Sequence, residues 1–155
     1  MSKVTDNEMN LQFISKSNNE AFARITVAAF VSQLDPTIEE ISDIKTVVSE
    51  AVTNCIIHAY EDEIGEVTME ISTFLYEEIV EGNKGYIVTQ IKDSGCGIVD
   101  VEKAMEPLYT SRPDEERSGM GFTIMESFMD EIKIESIIGL GTKVTMKKLI
   151  KKEEV

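Results

Sequence analysis

The chain has 155 residues, 42% of them apolar, which suits one domain with a buried core and is too apolar for a disordered chain. Fifteen basic residues against twenty-nine acidic ones give a net charge of −14. That balance argues against direct nucleic-acid binding, which needs phosphate neutralisation by Lys and Arg, and it suits a basic protein partner. Two cysteines and one histidine form neither a disulfide framework nor a Cys/His zinc site. With no basic and apolar leader and no run of membrane-spanning length, the expectation is a cytoplasmic protein that does not contact a membrane.

Residues 10–14 alternate weakly and predict a short strand. Asn18 or Asn19 can cap a helix from about Glu20, which Asp35-Pro36 ends. Its apolar residues, including Phe22, Val27 and Phe30, cover more than one face. Such a helix is either covered from two sides or helps to form a homodimer. Thr37 followed by Glu40 has capping-box spacing, and a second helix runs from there to about Tyr60, about 24 residues or about 36 Å.

Val67, Met69 and Ile71 alternate with polar residues as in a half-buried strand, and a second strand runs from Gly85 to Ile91. A wide loop carrying Glu77, Glu78, Glu81, Gly82 and Asn83 is expected between them. Residues 98–117 have few large apolar side chains and two prolines, and read as a lid or a plain surface loop. Ser118 to Gly121 opens a helix through about Met129, and two strands follow, Glu131–Ser136 and Thr142–Lys148. The expected fold is an α/β two-layer sandwich, a mixed or mostly antiparallel sheet with helices on one face. One domain spans 1–155, with a core of about 9–148 and a lid of about 98–118.

Glu50, Asn54 and His58, spaced four apart, fall on one line of the second helix beside an apolar stripe. Taken alone this is a solvated polar edge. A carboxylate and a carboxamide one turn apart can also hold a hydrated cation, since Mg2+ takes few protein ligands and keeps several waters. Three glycine clusters follow. Asp93-x-Gly95-x-Gly97 closes a strand, where the carboxylate can accept from the exocyclic amine of a purine and the glycines let backbone approach its ring. Gly119-Met120-Gly121 offers free N–H groups and the positive end of a helix dipole to phosphate. Gly139-x-Gly141-Thr142 can close the base pocket, with the Thr142 hydroxyl as a polar contact. No P-loop or strand-linked GxGxxG occurs.

In this order the motifs resemble the ATP-binding family shared by gyrase B, Hsp90, sensor histidine kinases and MutL, the GHKL or Bergerat fold. Glu50-x-x-x-Asn54-x-x-x-His58-Ala59 resembles its N box, and Asp93-x-Gly95-x-Gly97, Gly119-x-Gly121 and Gly141-Thr142 its glycine boxes. Within the family the chain is most similar to the sporulation anti-sigma serine kinases of endospore-forming bacteria. That likeness rests on its length, on Glu-Ala-Val-Thr-Asn at 50–54, on Pro107-Leu108-Tyr109-Thr110 and on the run 116–126. Three departures are Ala59 in place of a frequent glycine, a longer segment from about Tyr76 to Lys84, and no proline before the third box.

The resemblance implies a protein-serine kinase that binds ATP and ADP with Mg2+. Asn54 would be the metal ligand and Glu50 the general base. A carboxylate of ordinary acidity is a weak base at neutral pH, so positioning of the hydroxyl belongs to the same role. Nucleotide contacts would come from Asp93, Gly95, Gly97, Ser118, Gly119, Met120, Gly121 and Thr142. Arg117, beside the phosphate-binding helix start, is a candidate phosphate contact. His58 would pack or support the site from behind, Cys55 would be a small buried residue and Cys96 a loop filler. The implied partners are a sporulation sigma factor, an anti-anti-sigma protein phosphorylated on serine, and a second copy of the chain, with Arg24 at the partner surface. A nucleotide-gated sigma-binding module without transfer activity needs the same pocket and is the alternative.

Overall fold

The computed structural model describes residues 6–61, 63–106 and 121–153. Along the chain run β1 (Asn7–Ile14), α1 (Asn18–Val31) with a 3-10 turn at Ser32–Leu34, and α2 (Ile38–Asn54) continued by a π-helical turn at Cys55–Ala59. Then come β2 (Glu66–Val80), β3 (Asn83–Asp93), a one-turn α3 (Val101–Ala104), α4 (Gly121–Phe128), β4 (Glu131–Ile137) and β5 (Gly141–Lys151). The strands form one sheet in the order β1-β2-β3-β5-β4, and all four pairings are antiparallel. Helix α2 packs between α1 and α4, and the three cover one face of the sheet.

Alternation sets which face is covered. Val67, Met69 and Ile71 of β2 and Val144, Met146 and Ile150 of β5 are buried, while Thr68, Glu70, Thr145 and Lys147 between them lie on the other face. Against them α2 turns Ile44, Val47, Val48, Ala51 and Val52, a stripe at helical spacing. The capping box holds as expected: Thr37 Oγ1 accepts from Glu40 N at 3.1 Å and Glu40 Oε1 accepts from Thr37 N at 2.8 Å. Glu40 is also buried, and its Oε2 accepts from Lys151 N at 2.9 Å, clasping the start of α2 to the end of β5.

Two sequence expectations change. Helix α1 begins at Asn18 with Ser17 in the capping position, and Asn19 Nδ2 donates instead to Ile14 O at 2.9 Å. The wide loop between β2 and β3 is absent. Both strands run on to a tight turn at Glu81 and Gly82, whose φ values of 49° and 82° match the twist of a two-residue hairpin. The extra length becomes an extended hairpin, with a register irregularity between Leu75 and Val80, at the end of β3 opposite Asp93. Of the expected lid, residues 98–106 include α3, capped by Asp100, and the remainder lies outside the described residues.

Helix α1 buries Ala23, Val27 and Val31 but leaves Phe22 and Ile25 52% and 63% exposed, so its second apolar face has no cover within the described chain. Among the described residues no helix is long and apolar enough to cross a membrane.

Candidate active site

The apolar stripe that seats α2 also aims its polar flank. A Cβ placed on Gly121 would lie 3.3 Å from both Glu50 Oε2 and Asn54 Nδ2, so the two side chains converge on the first residue of α4. The line of residues read from sequence is therefore brought against the second glycine cluster.

At its C-terminal end α2 widens into the π-helical turn, a feature that often marks functional sites. The last carbonyls of a helix have no partner within it. Here they receive the loop after β3: Cys96 N donates to Ala59 O at 2.8 Å, and Cys96 Sγ lies 3.3 Å from His58 O. Gly95 is required by this approach, because a Cβ there would sit 2.2 Å from Ala59 O. Tyr60, just past the turn, accepts from Ser94 N at 2.8 Å and donates to Glu66 O, tying the same loop to the start of β2.

Asp93, the last residue of β3, is buried, at 6% exposure. Its Oδ1 accepts from Gly95 N at 3.0 Å and from Thr142 N at 3.3 Å, and its Oδ2 accepts from the Cys55 thiol at 3.5 Å. Gly141 makes this junction possible: its φ is +123° and a Cβ would meet Asp93 O at 2.1 Å. The Thr142 hydroxyl, expected to reach a ligand, is 2.8 Å from Ser136 Oγ.

These groups border a cavity of ≈ 600 Å³, within the ~300–1,000 Å³ typical of small-molecule sites. Asn54, Asp93, Gly97, Gly121 and Thr142 line it, and Glu50 adjoins it at Gly121. Gly95 acts from behind, through its bond to Asp93 and its packing on Ala59. Arg117, Ser118, Gly119 and Met120 lie outside the described residues. His58 reaches the cavity wall, as do Cys55 and Cys96, which sequence reading had assigned to filling. Lys103 of α3 is the one Lys or Arg among the described lining residues, and only its position in the expected lid hinted at it.

Burial pushes the Asp93 carboxyl above the usual carboxylate range, and hydrogen bonds from Gly95, Cys55 and Thr142 pull it partly back. Between the ordinary value and the raised one, the folded protein holds a proton that the unfolded chain has released. The contribution of this group to stability therefore falls as pH rises through that window and stays low at neutral pH. Asp93→Asn is expected to match or exceed the wild-type Tm of the ligand-free protein at neutral pH. Any advantage should vanish below the ordinary carboxylate range. Thermal melts at the two pH values check this, and a clear loss of Tm at neutral pH would contradict it.

Comparison with known proteins agrees with the geometry. Residues 15–148 match the family of the histidine kinase-like ATPase domain. The anti-sigma F factor of Clostridium acetobutylicum is 58% identical over 94% of this chain and 95% of its own length. That of Caldanaerobacter subterraneus is 60% identical over 94% of this chain and 95% of its own. Among solved structures, the RsbU and RsbW domains of Rv1364c from Mycobacterium tuberculosis superpose with a TM-score of 0.64 at 15% identity. The match covers 95% of this chain and 33% of that one, and at this identity it speaks for the fold. With a two-layer sandwich, N-box residues against α4 and a buried carboxylate closing β3, the chain belongs to the anti-sigma F factor family of histidine kinase-like ATPase domains.

Proposed function

We propose that this chain is an ATP-dependent protein-serine kinase that also binds and inhibits a sporulation sigma factor. Its phosphate acceptor would be a serine of an anti-anti-sigma protein. Kinase and anti-sigma function of this general type follows from membership of the family. The observation that carries the finer reading is the convergence of Glu50 and Asn54 on Gly121 at a cavity whose other side holds the buried Asp93.

The residues suit the nucleotide. Asp93 Oδ2 has an acceptor position left for the amine of adenine, and the described cavity wall is mostly apolar, as a flat base needs. Gly121 carries no side chain where Glu50 and Asn54 meet the start of α4, and a helix start is suited to phosphate through its N–H groups. Among the described residues no cluster of three or more His, Cys, Asp or Glu could hold a metal. Asn54 Oδ1, with phosphate oxygens and water, would give Mg2+ the few protein contacts and all-oxygen surroundings it takes. Bound there, Mg2+ supplies charge neutralisation across the phosphates.

Glu50 is assigned to the acceptor serine: it orients the hydroxyl and takes its proton as the new O–P bond forms and the bond to the ADP oxygen breaks. Asn54 holds the metal. Asp93, Gly95, Gly97 and Thr142 bind or frame the base, and Ser118 to Gly121 with Arg117 are assigned to the phosphates. The single-domain organisation, a lid over about 98–118 and a cytoplasmic location belong to the same proposal. So does a homodimer, supported by the apolar residues that α1 leaves exposed.

Glu50→Gln keeps size and much of the hydrogen bonding but loses the charge. It is expected to bind Mg-ATP and sigma nearly as wild type does, yet to transfer phosphate at least ~100-fold more slowly in single-turnover assays. Wild-type transfer rates in this variant would remove Glu50 from the chemistry. Transfer to no serine at all by wild type, with sigma still captured, would leave a nucleotide-gated binding module. For the homodimer, light scattering at micromolar concentration should return twice the monomer mass, and a strictly monomeric mass would refute it.

A further inference from the structure

Cys55 is the first residue of the π-helical turn and is 4% exposed, so spacing alone assigns it to the core. Its surroundings do not fit a mere filler. The Sγ is 3.5 Å from Asp93 Oδ2, and the same side chain borders the cavity beside Asn54. A carboxylate oxygen can only accept, so the thiol meets it as the S–H donor.

The two oxygens of Asp93 are held differently. Oδ1 receives two main-chain N–H groups, from Gly95 and Thr142, and neither can be removed by changing a side chain. Oδ2 receives the thiol. A carboxylate pinned only at one oxygen can swing the other about that anchor, so the Cys55 bond fixes the direction in which Oδ2 presents its remaining acceptor capacity. A thiol is a weak donor, and it leaves most of the oxygen's acceptor strength for a ligand.

We propose that Cys55 is a positioning residue for base recognition: its thiol holds Asp93 Oδ2 in the orientation that accepts a hydrogen bond from the 6-amino group of an aminopurine. This rests on the reading of the cavity as a nucleotide site. It differs from a packing role in one respect. Packing supports any ligand of the cavity alike, whereas positioning of Oδ2 matters only to a ligand that donates to it.

The test is calorimetric titration of wild type, Cys55→Ala and Cys55→Ser with Mg-ATP and with the triphosphate of purine riboside, which lacks the 6-amino group. Cys55→Ala should bind ATP about 3- to 10-fold more weakly, the size of one modest hydrogen bond. It should bind the purine riboside nucleotide as wild type does. Cys55→Ser keeps a donor on the same carbon and should restore part of the preference for ATP. Unchanged ATP affinity in Cys55→Ala, or an equal loss for both nucleotides, would overturn the proposal, the latter in favour of packing. Should Cys55→Ala fail to fold, the serine variant decides, since an equal loss for both nucleotides there has the same meaning. If wild type binds neither nucleotide, the reading of the cavity itself falls, a result distinct from a failure of Cys55 alone.

Discussion

A single buried carboxylate joins the parts of this molecule. Asp93 ends the central strand β3, and its oxygens gather an amide from its own loop, an amide from the start of β5 and a thiol from the end of α2. Burying a carboxylate is costly, and it is tolerated only where donors converge on it. The convergence fixes the relative positions of the helix end, the loop and the final hairpin. Those three bound one side of the cavity.

Close backbone approach explains why the glycines stand where they do. Gly95 lets the loop meet the last carbonyls of α2, and Gly141 lets β5 begin against Asp93 O. Both contacts are within the protein, so these glycines build the pocket before any ligand enters it. At the other side, Gly121 leaves Glu50 and Asn54 just enough room against α4. Glu50 and Asn54 in the last turns of α2 and Cys55 at the start of its π-helical extension thus reach the cavity region from neighbouring turns of one helix, seated on the sheet by an apolar stripe. The distance between them is set by a rigid element, which suits a reaction that depends on positioning.

Much of this was legible in the sequence because the period of each element survives in it. The α2 stripe, the capping box at Thr37 and Glu40, and the alternation of β2 all appear in the structure where spacing put them. The candidate residues Glu50, Asn54, Asp93 and Thr142 stand out through their order among glycine clusters, and the structure brings them to one cavity region. What failed to show has physical causes. Residues 76–84 are rich in Glu and carry Gly82, a composition that reads as loop, but backbone pairing across a tight turn outweighed it. Cys55 fell on the apolar stripe, and no one-dimensional pattern tells that Asp93, thirty-eight residues on, lies against it. Nor does any spacing tell that the backbone N–H of Thr142 donates to Asp93 while its hydroxyl lies against Ser136 across the β4–β5 hairpin.

The central claim is that a buried carboxylate at the end of β3 reads the amine of adenine. Titration of the wild-type protein with Mg-ATP and Mg-GTP tests it most directly. Guanine presents a carbonyl oxygen where adenine presents the amine, so two acceptors would face each other at Asp93. The account predicts that ATP binds roughly tenfold or more tightly than GTP. Equal affinity for the two nucleotides would contradict it.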